Sequence, residues 1–427
     1  MSVHSCKHVA LLGNITIGIL TTFSQKERRG IMAMDFGLTD EQKMILETIR
    51  KFKEKECPKD KIAEWDNAGK DFPIELWKKL GDIGILGLGF PEKYGGTPGG
   101  MLDQALIAEE LSYGFNDLAL GYLLGVSFGG YSILHQGNDE QKEKHLPLLI
   151  KGETNFALGL TEPGGGLDIL NALKTRGKED GDHFILNGTK IFTTGMHVAD
   201  TIVLVVRTDD VEGKPTRGLT IFLVDKNTPG ITYNKLEKLG SHTMGTYEVI
   251  YEDVKVHKSQ ILGERGKGWY QILGTLNNER IIVAAECCGI ARCAFDEALQ
   301  YAKEREAFGK PIGQHMTIQN YLAEMATEIE TARLLTYKAA WQVDTAKTKE
   351  DLMAAGGLAT MSKYWASDVG QRVTDKGMRI LAGYGFMMEY NMQRYFRNIR
   401  QLIFAPITNE MAKNIIGQLM LGLGKAY

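Results

Sequence analysis

The sequence lacks the short motifs that identify several common classes of nucleotide-binding and metal-dependent enzyme. No GxGxxG segment follows a predicted strand and no GxxxxGK(S/T) segment occurs, so a Rossmann dinucleotide site and a P-loop lack their residues. HExxH is absent too, and the nine histidines are scattered instead of clustered as metal ligands. The function must therefore depend on other residues.

Cysteine and net charge are also low. Five cysteines, an odd number without CxxC spacing, argue against disulfides and zinc and are typical of small core residues in a reducing cytoplasm. The formal net charge is −3, and basic and aromatic residues do not alternate along any stretch. We therefore expect neither nucleic acid nor a membrane as a partner.

The first 33 residues differ from the rest of the chain. Their apolar run, residues 9–23, is too short to span a bilayer, contains Asn14, and precedes its charged cluster instead of following it. A new start follows at Met34, with Thr39 or Asp40 placed to cap a helix. We interpret residues 1–33 as an appendage that an upstream start codon would add; a targeting segment is the alternative.

The remaining chain changes its pattern twice. Residues 34–154 show apolar side chains at helical spacing. Residues 155–267 contain short β-branched segments bounded by Gly, Pro, Asp and Asn, without helical patterns between them, which favours an antiparallel barrel or sandwich. Residues 268–427 return to helical patterns long enough for the helices of a bundle.

Two segments of the β region carry candidate binding residues. TEPGGGLD (161–168) has enough glycine for backbone N–H groups to approach a phosphate, although such loops are common. NGTKIFTTG (187–195) has two interpretations. Either Asn187-Gly188 forms a hairpin turn before an ordinary strand, or Phe192 and the two threonines after it offer an aromatic face and a donor to a flat heteroaromatic cofactor.

Glu279 and Arg280 precede the apolar segment IIVAAECCGI, and we expect them to open a long helix. A carboxylate in the first turn of a helix is favourable to the helix dipole, which is one explanation of Glu279. Alternatively, the apolar surroundings raise the pKa of the carboxyl towards neutrality, as a catalytic base requires.

Together these segments resemble the acyl-CoA dehydrogenase family. The similar segments follow the family's order and spacing over residues 34–427: TEPGGGLD, NGTKIFTTG, KLGSHTMGTYEVIYEDVKV, NNERIIVAA, REAFGKPIG, and RILAGYGF followed by RYFRN. The resemblance implies an α+β fold with an N-terminal α-helical domain (34–154), a middle antiparallel β domain (155–267) and a C-terminal four-helix bundle (268–427). It also implies non-covalent FAD, an acyl-CoA substrate, a homotetramer, and electron-transferring flavoprotein (ETF) as electron acceptor.

The resemblance assigns roles to individual residues. Phe192 replaces a Trp that packs on the isoalloxazine, and Thr194 matches the hydroxyl that hydrogen-bonds flavin N5. Arg305 and Phe308 match residues that hold the FAD of a neighbouring subunit. The implied cofactor-binding residues are Leu158, Thr161, Leu167, Phe192, Thr193, Thr194, Arg305, Phe308, His315, Met316, Arg379, Gly383, Thr408 and Glu410. The implied substrate-binding residues are Asn277, Arg280 and Ile407.

Some of these positions depart from the family pattern. The serine of the TEPxAGSD motif is Leu167, which leaves only a backbone N–H for a phosphate or the substrate. At two positions where the family has glutamine, this sequence has Met316 and Arg379. Each change weakens one contact with the cofactor or substrate. The backbone and the remaining side chains supply the other contacts, so we still predict FAD.

The most consequential departure lies in IFAPITNE (403–410). The family's Tyr-Glu-Gly-Thr is Ala-Pro-Ile-Thr here, so Pro406 stands where the catalytic glutamate is expected. In a branch resembling isovaleryl-CoA dehydrogenase the base lies in the E-R pair, and we therefore predict Glu279 as the base. Pro406 also lacks the backbone N–H that, in the family, is one of two donors to the developing enolate oxygen. The segment 408–410 is predicted to open the last helix.

The predicted reaction is α,β-dehydrogenation of an acyl-CoA, in which Glu279 takes the α-proton and the β-hydride passes to flavin N5. One alternative is a flavin-dependent reductase, or an atypical desaturase, of a cyclic or conjugated acyl-CoA. Another is a catalytically silent family member used in assembly. The resemblance implies that residues 117–131 form the bottom of the acyl pocket, and their mixture of small and bulky side chains suits a short, branched or cyclic acyl group. The expected location is the cytoplasm.

Overall fold

The computed structural model describes residues 36–424, with only the backbone for Asn277. The predicted appendage, residues 1–33, lies outside the described residues. Helix α1 (Asp40–Glu56) begins after Thr39, whose Oγ1 accepts a hydrogen bond from the Gln42 N–H at 3.2 Å. Gln42 Oε1 accepts from the Thr39 N–H at 3.1 Å, which completes a capping box and confirms the predicted helix start.

The region that follows is helical, as predicted. Its helices are α2 (Lys59–Asn67), α3 (Glu75–Asp82), α4 (Met101–Ser112), α5 (Asn116–Tyr122), α6 (Ser132–Gln136) and α7 (Asp139–Ile150). Short 3-10 turns at Ile85–Gly87 and Glu92–Tyr94 precede a glycine-rich connection to α4. The apolar sides of these helices bury large side chains such as Trp77 and Tyr122, each less than 2% exposed.

A π-helical segment, Leu123–Tyr131, joins α5 and α6 into one helix, Asn116–Gln136. This helix is long and apolar enough to cross a membrane, but 89% of its most apolar 18-residue window is buried in the protein, as in a core helix. Its segment Gly125–Gly129 reads GVSFG, which matches a nucleophile elbow by pattern. The segment lies inside a helix and not in a strand-to-helix turn, so the match has no catalytic meaning.

The middle region forms one eight-stranded sheet within the described residues. Its strands are β1 (Phe156–Gly159), β2 (Arg176–Asp180), β3 (His183–Thr194), β4 (Thr201–Arg207), β5 (Leu219–Asp225), β6 (Ile231–Leu236), β7 (Thr246–His257) and β8 (Ile261–Leu262). The order is β6-β7-β3-β2-β4-β5-β8, and β1 also pairs with β4. Most pairs are antiparallel, as predicted, but β1 and the first residue of β2 pair with β4 in parallel. Helix α8 (Ile169–Ala172) lies between β1 and β2.

The prediction that Asn187-Gly188 forms a hairpin turn is wrong. The turn between β2 and β3 lies at residues 181–182, whereas Asn187 and Gly188 lie inside β3 at a register shift against β7. Asn187 Oδ1 accepts from the Asp253 N–H at 2.9 Å. A Cβ at position 188 would lie 2.5 Å from Thr175 Oγ1, so only glycine fits. The dipeptide therefore marks a β-bulge.

Long helices dominate the C-terminal region: α9 (Gly268–Glu304), α10 (Met316–Thr345) and α11 (Lys349–Leu381). Each packs against the other two, and α13 (Met392–Gln401) packs against α9 and α11, as expected of a helical bundle. The shorter elements are β9 (Glu306–Ala307), β10 (Lys310–Pro311), α12 (Gly383–Phe386) and α14 (Asn409–Ile415). Thr408 Oγ1 accepts from the Met411 N–H at 3.2 Å, which confirms the predicted start of α14.

Candidate active site

Glu279 is a buried carboxyl on α9. The residue is 7% exposed, and its Oε2 has no hydrogen-bond partner among the described residues. Burial raises the pKa of this carboxyl to about 8, against the opposing positive charges of Arg280 and Lys363. A carboxyl with this pKa can accept or donate a proton near neutral pH, as general acid–base catalysis requires.

The prediction that Glu279 opens a helix is wrong. Helix α9 already begins at Gly268, about three turns before Glu279. The residues between them, which include Gly274, continue the helix although their sequence pattern is irregular. Because the helix dipole acts within the first turn, it cannot explain Glu279. Burial is the explanation that is left.

Arg280 connects α9 to α11. Its guanidinium Nη1 donates to Thr360 Oγ1 at 3.2 Å. Lys363 lies three residues further along α11 and is buried. Its Nζ donates to Ile407 O at 2.6 Å, so the structure brings three predicted residues, Glu279, Arg280 and Ile407, together around α11. Sequence reasoning missed Lys363, because one lysine on a mixed helix gives no signal of what it contacts.

The segment 403–409, called here the 403–409 loop, carries Pro406. The Ala405 N–H donates to Gln401 O at 3.1 Å, and the Asn409 N–H donates to Ile403 O at 3.0 Å. The N–H groups of Ile407 and Thr408 donate to no acceptor in the part of the chain that the structure describes. The loop thus has no donor at Pro406 but has two available donors immediately after it.

A buried ion pair holds the start of the loop TEPGGGLD. Lys190 Nζ lies 2.7 Å from Glu162 Oε1 and donates to Leu160 O at 3.1 Å. Burial by itself would raise the pKa of Glu162, but Lys190 and nearby N–H groups outweigh burial and lower it. Burial lowers the pKa of Lys190 to about 8, against the attraction of Glu162. Both residues lie in the two candidate segments, but the sequence did not predict that they form an ion pair.

The rest of this loop is open. A Cβ at Gly164 or Gly166 would meet no atom within 4 Å, and Leu167 is 49% exposed. The Ile191 N–H donates to Thr161 O at 2.9 Å, which places the start of the loop beside the end of β3. A ligand therefore has room along the loop next to this strand.

Phe192 lies at a second bulge in β3. Its φ is 58° and its side chain is 63% exposed. A bulge can re-aim a side chain, and a non-glycine residue with this φ is typical of functional sites. Strand β1, beside this region of the sheet, contributes the half-buried Leu158. The structure thus exposes the aromatic ring that the resemblance assigns to the isoalloxazine.

The two threonines after Phe192 face different environments. Thr194 is half-buried, and its Oγ1 lies 3.1 Å from Thr246 Oγ1. Thr193 is fully buried, and its hydroxyl has no partner among the residues described. Successive side chains of a strand point to opposite faces, so the two hydroxyls do not lie side by side as the sequence interpretation assumed.

The residues predicted to hold the FAD of a neighbouring subunit lie on the β9–β10 hairpin and the start of α10. Phe308 and Gly309 have φ values of 56° and 78°, as in a type I′ turn, and the Phe308 side chain is 94% exposed. His315 Nε2 lies 3.2 Å from Ala307 O. Met316 is 76% exposed. This hairpin presents its aromatic tip to the exterior of the chain.

Arg305 and Gly383 line one groove of about 510 Å³, together with Tyr384. The Arg305 guanidinium lies 5.8 Å from the centre of the Tyr384 ring. Arg379 does not line this groove; its Nε lies 2.7 Å from Asp375 Oδ2, at the surface. Glu410 is exposed in the first turn of α14.

The predicted site residues form separate groups, and not all of these groups contact one another. Among residues 36–424, no hydrogen bond, ion pair or ring contact joins the Phe308 hairpin to Phe192 or to Glu279. The backbone of Asn277 places it on α9, close to Glu279 in sequence.

Comparisons with known proteins identify the family. Successive profiles match the chain: Acyl-CoA dehydrogenase, N-terminal domain at residues 39–153, middle domain at 157–254 and C-terminal domain at 266–421. The chain is also similar to 3-(aryl)acrylate reductase from Clostridium sporogenes, with 37% identity over 384 residues, 90% of this chain and 99% of that protein. The chain belongs to the acyl-CoA dehydrogenase family.

Two further matches extend this result. A subunit of a caffeyl-CoA reductase–Etf complex, CarC from Acetobacterium woodii, is 35% identical over 90% of this chain and 99% of that protein. The solved structure of butyryl-CoA dehydrogenase from Megasphaera elsdenii matches with a TM-score of 0.85 and 37% identity, covering 91% of this chain and 100% of that one. These matches confirm the predicted architecture of helical, β and helical regions.

Acyl-CoA dehydrogenases are FAD-dependent oxidoreductases that act on CH–CH bonds, so this chain is such an enzyme. The residues around Phe192 fit a flavin. They offer an exposed aromatic ring, the half-buried hydroxyl of Thr194, and open space along Gly164 and Gly166.

Proposed function

We propose that the enzyme catalyses the α,β-oxidoreduction of an acyl-CoA thioester with Glu279 as its acid–base residue. The observation that carries the proposal is the buried Glu279 carboxyl, which has a raised pKa of about 8 and an Oε2 without a partner among the described residues. The proposal includes a base in the E-R pair, as in the branch resembling isovaleryl-CoA dehydrogenase. Bound FAD supplies the hydride acceptor or donor for the β-carbon.

The protonation state of Glu279 decides which direction it supports. The ionised carboxylate accepts the α-proton in dehydrogenation, and the protonated carboxyl donates a proton to the α-carbon in reduction. A carboxyl with a pKa near 8 is mainly protonated at pH 7. Dehydrogenation is the leading assignment. The reductive direction is the second candidate, because Pro406 removes a donor that would activate the α-carbon and two of the relatives above are named reductases.

We assign the isoalloxazine to the group around Phe192. Leu158, Thr161 and Leu167, with the two threonines after Phe192, flank it in this assignment. The exposed Phe308 hairpin, with Arg305, His315 and Met316, holds the FAD of a neighbouring subunit in a homotetramer. Its 94% exposed ring supports this role, since a large exposed aromatic residue is typical of an interface. Residues 379–383 and 408–410 complete the assigned cofactor contacts.

We also propose ETF as the electron partner and the cytoplasm as the location. A relative named as a subunit of an Etf complex supports the partner. Four cysteines of the described chain, Cys57, Cys287, Cys288 and Cys293, are buried and unpaired, as a reducing compartment permits.

A short, branched or cyclic acyl group is the proposed substrate class. Residues 117–131 are all buried, and they include the π-helical segment. Gly129 allows this segment to approach β1, because a Cβ there would lie 2.2 Å from the Phe156 ring. We assign this segment to the bottom of the acyl pocket. Its close packing against β1 leaves little length there for an acyl chain.

The test is Glu279→Gln, with Glu286→Gln as the matched control. Glu286 lies about two turns further along α9, is 1% exposed, and also has a pKa raised to about 8, by burial and by Asp117. Anaerobic flavin bleaching is measured with straight, branched, aromatic and cyclic acyl-CoAs. Reoxidation of the reduced enzyme is measured with the corresponding enoyl-CoAs.

We expect Glu279→Gln to keep its yellow flavin and to lose about 10²–10⁴-fold in rate, the usual contribution of a general acid–base group. Glu286→Gln should retain wild-type bleaching with the same substrates. Near-normal bleaching by Glu279→Gln would reject Glu279 as the acid–base residue. If the wild-type enzyme reacts only with enoyl-CoAs, the reaction runs in the reductive direction.

A further inference from the structure

One buried side chain holds both ends of the 403–409 loop. The Lys363 Nζ donates to Ile403 O at 3.0 Å, to Ile407 O at 2.6 Å and to Asn409 Oδ1 at 2.9 Å. An ammonium group has three N–H donors, so this loop uses all of them. Lys363 therefore fixes the loop at its first residue, its last residue and the residue after Pro406.

The same ammonium acts on Glu279 across the site. Burial raises the pKa of the Glu279 carboxyl, whereas the positive charges of Arg280 and Lys363 each lower it. Within the described chain no carboxylate oxygen lies within 4 Å of the Lys363 Nζ, so no direct ion pair neutralises it. The titratable groups that act on Lys363 are Cys287 and Glu279 on α9, Asp368 on α11 and Glu410 on α14.

The loop must supply what Pro406 lacks. Removing an α-proton places negative charge on the thioester oxygen, and aimed N–H donors stabilise that charge. The Ala405 N–H already donates to Gln401 O, and the Asn409 N–H already donates to Ile403 O. Ile407 follows Pro406 directly, and its N–H donates to no acceptor in the described chain. The carbonyl that Lys363 holds belongs to the next peptide unit, Ile407–Thr408, so Lys363 fixes the backbone on the C-terminal side of this N–H.

We propose that Lys363 is a positioning residue that holds the Ile407 N–H as the donor to the thioester oxygen, opposite the Glu279 base. This proposal rests on the proposed function. The α-proton moves to a Glu279 oxygen, the electrons of the C–H bond enter the enolate, and the Ile407 N–H binds the enolate oxygen. Lys363 touches none of these atoms and acts through the loop.

The first test is the pair Ile407→Pro and Ile407→Ala. Proline removes the N–H, whereas alanine removes the side chain and keeps the N–H. We expect Ile407→Pro to lose about 10²–10³-fold in the rate of flavin bleaching, the usual effect of one oxyanion donor. Ile407→Ala keeps the N–H, so its rate of flavin bleaching should fall by less than about tenfold. Equal rates for the two variants would overturn the assignment of the donor.

The second test is Lys363→Met, with Lys53→Met as the control. Lys53 is also buried, but it binds Glu110 and Tyr113 O, away from the loop. Lys363→Met should lose about 10²-fold in rate because the donor is misplaced. Its pH–rate inflection should move to higher pH, because a charge that lowers the Glu279 pKa is gone. Lys53→Met should keep the wild-type inflection.

A binding measurement separates this proposal from turnover. Acetoacetyl-CoA has an acidic α-proton, and its enolate absorbs in the near ultraviolet. The wild-type holoenzyme should ionise bound acetoacetyl-CoA at lower pH than Lys363→Met or Ile407→Pro, by about one unit or more. Matching ionisation curves for all three would overturn the proposal.

The proposed function can fail separately. It fails if the wild-type enzyme neither bleaches with any acyl-CoA nor is reoxidised by any enoyl-CoA, or if Glu279→Gln reacts as fast as the wild-type enzyme. The inference about Lys363 fails alone if Glu279→Gln is inactive while Lys363→Met behaves like Lys53→Met.

Discussion

Two buried lysines hold the two loops of the site in different ways. Lys190 forms a direct ion pair with Glu162 at 2.7 Å, under the glycine-rich loop that we assign to the flavin. Lys363 binds two backbone carbonyls and the Asn409 side chain, under the 403–409 loop on the substrate side. Burial lowers the pKa of each lysine to about 8.

The difference determines where the charge acts. The charge of Lys190 acts mainly on its direct partner, Glu162. It keeps the Glu162 carboxyl ionised and so fixes the start of the loop. The charge of Lys363 has no carboxylate within 4 Å in the described residues, so its field reaches Glu279. The first arrangement supports structure, whereas the second connects a loop to Glu279, the proposed acid–base residue.

The largest effect on stability should come from Lys190→Met. This change leaves the buried Glu162 carboxylate without its cation, and breaking such a pair costs about 3–5 kcal/mol. Denaturant unfolding of the holoenzyme measures the loss. The double variant Lys190→Met, Glu162→Gln should recover most of it, since no buried charge is left unpaired. A double variant as unstable as the single variant would show that the ion pair is not the cause.

Lys363→Met should cost less stability. Ile403 O still accepts from the Asn409 N–H, and Asn409 Oδ1 still accepts from Ser367 Oγ, so only Ile407 O loses its partner. One unsatisfied neutral acceptor costs about 1–3 kcal/mol, less than an unpaired buried charge. Its effect on the pH–rate inflection should exceed that of Lys190→Met, although its effect on unfolding is smaller. If Lys190→Met moved the inflection further, the proposed division between the two lysines would be wrong.

Phe192→Ala should have the smallest effect and should act on the flavin side alone. Loss of an aromatic stacking contact is worth about 0.5–1.5 kcal/mol, so the dissociation constant of FAD should rise by up to about tenfold. Fluorescence of released FAD measures this. The pH–rate inflection should not move in the reconstituted variant, because Phe192 carries no charge. Unchanged FAD affinity would argue against isoalloxazine packing on Phe192.

The parts of the fold that depend on local sequence could be predicted. Thr39 and Thr408 each bind an N–H three residues later, and the β-branched segments form the strands of the sheet. Asn187-Gly188 could not be predicted, because its bulge depends on Asp253 and Thr175 from other strands. The parallel pairing of β1 with β4 likewise joins segments far apart in the sequence.

The site shows the same limit. Glu279 could be chosen from the resemblance, but its burial depends on how α9 packs against the other helices, which the sequence does not show. The role of Lys363 depends on carbonyls some 40 residues later in the chain. The opposite environments of Thr193 and Thr194 follow from strand alternation next to a bulge, which the sequence TT does not reveal.

The most direct test of the account is the pH dependence of the second-order rate constant for flavin bleaching, measured anaerobically with subsaturating acyl-CoA, because this constant reports pKa values of the free enzyme. The raised pKa of Glu279 predicts that the dehydrogenation rate increases with pH through an inflection near pH 8. The rate of enoyl-CoA reduction should decrease through the same inflection, because that direction needs the protonated carboxyl. Rates without an inflection between about pH 6 and 9, or an inflection that persists in Glu279→Gln, would contradict the assignment.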